Sequence, residues 1–332
     1  MSWTGPRGLF LGMAGVILFA AACSAPETAP APPHPAIAAA IAEAEAAATA
    51  TATPAEPAPA LAPAAPPAPP AEHRVVEKAE PTPDPAPPSN VGKMTPGGSF
   101  LMRLSDGFDE ATQYRSDYTM EVPWNGSGFA WDNIHYGPDG ATLVIQKRRM
   151  KSLAYAGAEL QRKGFFGYGR YEAIVKAPVG SGLVSSFFTH TDGNFGDPHD
   201  EIDIEFLGAN THALHINYFK DGRAAGSFYA QTGFDTSRDF HLYAFEWAPD
   251  SIRWFADGNL VHEVQGPAAR VPRAAGRVIM NLWSAGPSSR GWLGPRKFKD
   301  NASVSYRCVS HVPLGETAAQ CSDDYQPPSP KR

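Results

Sequence analysis

Between about residues 99 and 321 the chain is cut into short runs in which apolar and polar residues alternate. They are "ATLVIQ", "RYEAIVKA", "LVSSFFTH", "EIDIEFL", "ALHINYF", "LYAFEW", "SIRWFADGNLVHEV" and "RVIMNLW". Breakers such as "GPDG", "PVGSG" and "DGN" separate them. A repeat of two places alternate side chains on opposite faces, which only an extended strand does. Many short strands with turn signals at close spacing predict an all-β sandwich or jelly roll. In "FADGNLV" the pair Asp257-Gly258 suits a tight primed turn and predicts a hairpin. No long 3.6-residue period occurs in this region. No glycine-rich loop follows a strand, which excludes a phosphate-cradling nucleotide site.

The chain outside this region has a different character. Residues 24–98 are mostly Ala and Pro, as in "APALAPAAPPAPPAEH", without aromatic residues until the segment ends. Such a segment cannot bury enough apolar surface to offset its chain entropy, and its prolines hold it extended. It is read as a disordered tether over 23–98, with a short Ala-rich patch capable of transient helix. The tail, residues 322–332, is also expected to be loose. The folded domain is therefore assigned to residues 99–321.

The first 22 residues read as an export signal. Arg7 supplies a positive n-region, and an apolar stretch too short for a comfortable membrane span follows it. It ends in "LFAAACSAPE", where Cys23 resembles the lipidated cysteine of a bacterial lipobox, with Ala20 in place of the usual Leu. An ordinary secretory signal and an uncleaved anchor are the alternatives. All three place the domain outside the cytoplasm, and lipidation of Cys23 would attach it to a membrane. Ser24 after the cysteine is compatible with outer-membrane sorting. Setting Cys23 aside leaves Cys308 and Cys321, an even pair in an oxidising compartment, expected to form a disulfide. With a formal charge of -6 in 332 residues and no basic stripe, nucleic acid is not an expected partner.

The densest chemistry lies in "HDEIDIEFLG", residues 199–208. On a strand, Ile202, Ile204 and Phe206 point into the core while Glu201, Asp203 and Glu205 share the other face. Alpha carbons four residues apart on a strand are about 13 Å apart, and two glutamates leaning together close much of that gap. Carboxylates about 5 Å apart match a retaining glycosidase. Crowding must raise at least one of the pKa values, leaving a neutral acid beside a charged neighbour. From the residues alone, catalysis, a calcium site and a solvated acidic face all stand.

The stretch "DEIDIEFLG", preceded by "SGLVSSFFT" and followed by "HINYFKDG" and "NLWSAGPSSRGWLG", resembles glycoside hydrolase family 16 over roughly residues 108–293. The likeness is strongest to the bacterial β-1,3-1,4-glucanases (lichenases) and to enzymes that trim bacterial exopolysaccharides. It implies a β-jelly-roll of two curved antiparallel sheets with a concave sugar-binding cleft. It also implies retaining endo-hydrolysis, with Glu201 as nucleophile, Glu205 as general acid/base and Asp203 orienting the nucleophile. No cofactor and no metal ligand are implied, and a monomer is expected. By the same resemblance Asn125, Phe129, Glu159 and Asn217 are sugar-contacting. Asn281 and Trp283 share one strand face, and Trp292 follows on a loop; all three suit a sugar groove, where a flat indole covers a pyranose ring.

This sequence departs from the lichenase pattern at three places near the donor side. His199 stands in place of Trp, Phe219 in place of a frequent Tyr, and Gln161 in place of an Arg, with Arg162 adjacent. His199 and Gln161 are retained as substrate-binding candidates, and the departures shift the match toward the exopolysaccharide enzymes. The expected function is a tethered, extracytoplasmic, retaining endo-β-glucanase acting on polysaccharide. Transglycosylation on a β-glucan or xyloglucan is the second enzyme reading. A non-catalytic glycan-binding lipoprotein is the third reading and a structural envelope protein the fourth. Retention of all three acids disfavours the third.

Overall fold

The computed structural model describes residues 92–266 and 270–328. The export signal, Cys23 and the tether as far as residue 91 lie outside the described residues, as do residues 329–332. Among the described residues there are sixteen strands: β1 (Phe100–Arg103), β2 (Gln113–Arg115), β3 (Ser127–Phe129), β4 (Ile134–Gly137), β5 (Gly140–Ile145), β6 (Tyr155–Phe166), β7 (Gly169–Lys176), β8 (Leu183–Thr191), β9 (Asp200–Leu207), β10 (Ala213–Lys220), β11 (Arg223–Gln231), β12 (His241–Ala248), β13 (Ser251–Ala256), β14 (Asn259–Gln265), β15 (Gly276–Ser284) and β16 (Ala302–Pro313). The longest α-helix among the described residues is the single turn Arg290–Leu293.

The strands form two sheets. One runs β14-β13-β12-β7-β16-β5-β4, with β1 on β16. The other runs β11-β10-β9-β8-β15-β6-β2, with β3 on β6. Pairing is antiparallel throughout except for the short parallel contact of β3 with β6. This is the two-sheet jelly roll that the alternating runs predict. Ile202, Ile204 and Phe206 of β9 enter one core with Leu214, Ile216 and Tyr218 of β10. Tyr243, Phe245, Trp247, Ile252 and Trp254 of the opposite sheet meet them there. Each such apolar side chain contributes about 1.5–3 kcal/mol when buried. A one-residue slip of β9 would expose its apolar set and bury its acids, so the register is strongly fixed.

Two buried aromatic side chains of one sheet donate to backbone carbonyls of the other. The Trp254 indole N–H donates to the Asp203 carbonyl oxygen at 3.1 Å. The Tyr306 hydroxyl donates to the Ser186 carbonyl oxygen at 2.8 Å and lies 2.7 Å from Ser185 Oγ. Both aromatic groups are fully buried, and burial demands a partner for their polar ends. They anchor the backbones of β9 and β8 from behind.

The β13–β14 hairpin turns at Asp257 (φ 48°) and Gly258 (φ 78°), the positive pair that a primed turn requires. The same geometry recurs at Asp221 (φ 51°) and Gly222 (φ 78°) between β10 and β11. Cys308 and Cys321 are joined by a disulfide with Cα atoms 5.8 Å apart.

The packed structure extends past both assigned domain limits. Upstream, Gly97 N–H donates to the Phe165 carbonyl at 2.6 Å, and the Lys93 N–H bonds Asp197. Downstream, where a loose tail is expected, Ser322 N–H donates to Glu172 at 2.8 Å and the Tyr325 hydroxyl donates to Asp257 at 2.6 Å. The disulfide holds residue 321 against β16, which brings the next four residues within reach of these acceptors.

Candidate active site

The outward face of the β9 sheet assembles the site by register. On β9, Glu201, Asp203 and Glu205 lie opposite Phe219, Asn217 and His215 of β10. On the other side they lie opposite His190, Phe188 and Ser186 of β8. Ser186 in turn faces Asn281 of β15, which faces Glu159 of β6. The three acids therefore stand in one file at the centre of a row of polar and aromatic side chains. The Glu201 side chain is 15% exposed and that of Glu205 11%, so both are open to a ligand, while Asp203 is buried between them.

Each glutamate is held by histidine. His190 Nδ1 and His199 Nε2 lie 2.7 and 2.8 Å from the same oxygen of Glu201, Oε2. His215 Nδ1 lies 2.5 Å from Glu205 Oε2, and its Nε2 lies 2.8 Å from Ser227 Oγ. The His199 ring stacks on Phe219 with centroids 4.7 Å apart.

Burial alone would raise the Glu201 pKa. The hydrogen bonds from His190 and His199, and then their charges, overcome it and hold the carboxyl well below its usual range. Burial alone would lower His190, but hydrogen bonds to Asp192 and Glu201 raise it to about 9. Asp203 is pushed well above the usual carboxylate value by burial first and then by the charges of Glu201 and Glu205. The rise anticipated from crowding thus falls on the middle acid. The arrangement sets Glu201, held toward its ionised form, beside Asp203, pushed toward its neutral form, a pairing in which one carboxylate can attack while its neighbour orients it.

The sugar-contact candidates divide by how open they are. Asn217 is half-buried beside Asp203, with Ser227 of β11 as its other cross-strand neighbour. Glu159 accepts from Ser116 Oγ (2.6 Å), Gln161 Nε2 (2.8 Å) and Tyr118 OH (3.4 Å) on one oxygen, and burial raises its pKa. Asn281 Oδ1 accepts from Ser186 N–H at 3.1 Å. Trp292 is partly buried, 5.4 Å from His215 and 6.1 Å from Trp283 between ring centroids. Trp283 is 6% exposed and edge-on to Trp124 at 5.2 Å, and Phe129 is 3% exposed and edge-on to Tyr118 at 5.3 Å. These two rings are packed in a satellite apolar cluster and present little face to a ligand. Asn125 is buried in the adjoining loop, where its Oδ1 accepts from Ser127 N–H at 3.1 Å.

The guanidinium near Gln161 comes from an unexpected place. Arg162 turns to the other side, donating to Thr112 and Lys163 carbonyls and lying over Phe100 and Phe166. Arg277 of β15 donates to Gln161 Oε1 at 3.0 Å instead. His190, His215 and Arg277 were not among the candidates from sequence. Neither was Tyr229, which is 58% exposed with its ring 4.8 Å from His215. His190 and His215 sit in quoted runs, and only cross-strand register reveals that they face the acids.

Comparisons with known proteins agree with this geometry. The sequence model described as Glycosyl hydrolases family 16 matches residues 121–300. A β-glucanase of Brevibacillus brevis is 38% identical over 227 residues, covering 66% of this chain and 84% of that protein. A β-glucanase of Acetivibrio thermocellus is 35% identical over 219 residues, and the chain spans 63% of that relative's length. A solved prokaryotic β-1,3-1,4-glucanase (lichenase) derived from a mouse hindgut metagenome superposes with a TM-score of 0.61 at 33% identity, covering 66% of this chain and all of that one.

Proposed function

The chain belongs to the glycosyl hydrolases family 16, and from that premise we propose that it is a retaining endo-β-glucanase acting on β-1,3-1,4-linked glucan or a related bacterial exopolysaccharide. The observation that carries this reading is the file of Glu201, Asp203 and Glu205 on one open strand face, with a histidine bonded to each glutamate.

A glucan chain lies across the strands of the β9 sheet. Glu205 protonates the glycosidic oxygen as Glu201 attacks the anomeric carbon, and the bond to the leaving sugar breaks. The resulting glycosyl ester on Glu201 is cleaved by water, whose proton passes to Glu205. The anomeric configuration is retained. His190 and His199 hold Glu201 toward its ionised form and aim it, while Asp203, pushed toward its neutral form by burial, hydrogen-bonds it. Asn217, Tyr229 and Trp292 border the acids and are the side chains best exposed to meet sugar hydroxyls and ring faces.

The test is Glu201→Gln, assayed on mixed-linkage glucan with products sized and their anomers followed by NMR. Hydrolysis should be abolished while the fold persists. Turnover near the wild-type rate in that variant would refute the assignment. A panel of lichenan, laminarin, xyloglucan and succinoglycan, run with and without an added acceptor sugar, separates the substrates and separates hydrolysis from transglycosylation.

The export-type N-terminus supports an extracytoplasmic location with Cys23 lipidated. Cys23→Ala should move the protein from the membrane fraction to the soluble one. An unchanged distribution would count against lipidation.

A further inference from the structure

The acid file carries more nitrogen than orientation of a nucleophile needs. One hydrogen bond suffices to aim a carboxylate, yet two imidazoles converge on a single oxygen of Glu201. His190, His199 and Glu201 each offer one ligand atom, and these atoms all lie within 4.8 Å of one another. The three side chains are fixed from separate places: His190 on β8, His199 just before β9, and Glu201 on β9. Their side chains are 13%, 6% and 15% exposed, so the cluster is sheltered yet open on the side of the cleft.

The surroundings have the features of an outer ligand shell. The second nitrogen of His190 faces Asp192 Oδ2 at 3.6 Å. Asp192 is itself fixed by the Asn194 N–H and side-chain amide, both at 2.9 Å. A carboxylate behind a histidine is the arrangement that sets the ring's tautomer and strengthens it as a ligand. The His199 ring is held by its stack on Phe219.

We propose that His190, His199 and Glu201 form a binding site for a borderline divalent transition cation of the zinc type, and that occupancy of this site reversibly blocks the enzyme at its nucleophile. Two histidines and one carboxylate are a zinc donor set, and three protein ligands leave the fourth tetrahedral position open toward the cleft. Ligand bonds of about 2.0–2.2 Å require each nitrogen to stand slightly further from Glu201 Oε2 than the present 2.7 and 2.8 Å, which a small side-chain adjustment supplies. On binding, the two hydrogen bonds to Oε2 are replaced by two nitrogen–metal bonds and one oxygen–metal bond. The displaced protons pass to water, and no electron is transferred. Mg²⁺ and Ca²⁺ require six or more oxygen ligands, which this nitrogen-rich cluster does not supply. The binding half stands on geometry alone, while the inhibitory half rests on Glu201 being the nucleophile.

The experiment titrates chelator-treated protein with ZnCl₂ by calorimetry and with CoCl₂ by visible absorption, which reports imidazole coordination. One equivalent should bind, with no response to MgCl₂ or CaCl₂. His190→Phe and His199→Phe should each weaken Zn²⁺ binding by about tenfold or more. The control His135→Gln, at an exposed position on β4, should bind as wild type does, and circular dichroism checks that every variant is folded. In parallel, Zn²⁺ should raise the apparent KM for glucan in the wild type, competitively. Absence of saturable one-site binding up to about 0.1 mM Zn²⁺ would overturn the proposal, as would unchanged affinity in both histidine variants. Binding without inhibition would overturn the inhibitory half. A metal-free wild type inactive on every glucan would instead count against the hydrolase reading, and calorimetry would still decide the site.

Discussion

Replacing His311 by phenylalanine should flatten the acid limb of the stability curve. His311 lies on β16, 1% exposed, with its ring centroid 4.3 Å from that of Tyr171 and 5.3 Å from that of Phe166. Burial among these rings lowers its pKa from 6.5 to about 4, against a smaller upward pull from nearby backbone groups. The unfolded chain therefore binds a proton between pH 6.5 and about 4 that the folded protein refuses. Stability from this group is fully present above pH 6.5 and is lost as pH falls through that window. The full shift corresponds to about 3 kcal/mol, of which about 2 kcal/mol is gone by pH 5. Phenylalanine fills nearly the same space without titrating. The assay is urea unfolding of wild type and His311→Phe at pH 7, 6 and 5, with each ΔG taken from midpoint and slope. Asp203 and Glu159 titrate in both proteins, so the difference between the two curves isolates His311. That difference should move by about 2 kcal/mol in favour of the variant between pH 7 and pH 5. A difference constant to within about 0.5 kcal/mol would refute the reasoning, because it would mean that burial imposes no penalty on the charged ring.

Asp203→Asn should lower kcat by about tenfold or more, since an amide N–H is a weaker donor to Glu201 than a carboxylic acid O–H and cannot titrate with it, while thermal stability holds or rises because a crowded buried carboxyl is removed. Kinetics and melting on the same preparation check both halves, and a stable variant with unchanged kcat would remove Asp203 from the mechanism. Replacing Cys308 and Cys321 together by serine should cost at most about 3 kcal/mol, seen as a lower melting temperature. Proteolysis at the newly released residues 322–325 should accelerate, and an unchanged digestion pattern would show that the contacts of Ser322 and Tyr325 hold the tail unaided.

The acid-bearing strand β9 is legible in the sequence because its information is local. Alternation in "EIDIEFL" alone decides which residues enter the core and which face outward, and the hairpin at Asp257-Gly258 is written in two adjacent residues. What escaped is non-local. His190, His215 and Arg277 meet the site through the pairings of β8 with β9, β9 with β10 and β15 with β6. Those registers depend on loops that carry no periodic signal. The edge strand β11 reads as "RAAGSFYAQ", with most residues exposed and therefore no apolar alternation to detect. The strand β6 reads as "YAGAELQRKGFF", where glycines and charges break the pattern although most of its residues are buried. The resemblance marks Phe129 and strand parity marks Trp283 as cleft aromatics, and the structure packs both rings among Tyr118, Trp124 and Ala285 in a satellite cluster. Strand parity indicates the face of a sheet and is silent about what later covers that face.

The odd and even residues of β9 carry separate duties, and this restricts how descendants of such a chain can change. A single-codon insertion or deletion inside the strand, unless a bulge absorbed it, would reverse the facing of every residue on one side of it and part the acids from their common face. Innovation is thereby diverted to the segments joining the strands, where length can vary without disturbing parity. The same file of acids can then be framed by one set of loops after another while its own reading frame stays closed to revision.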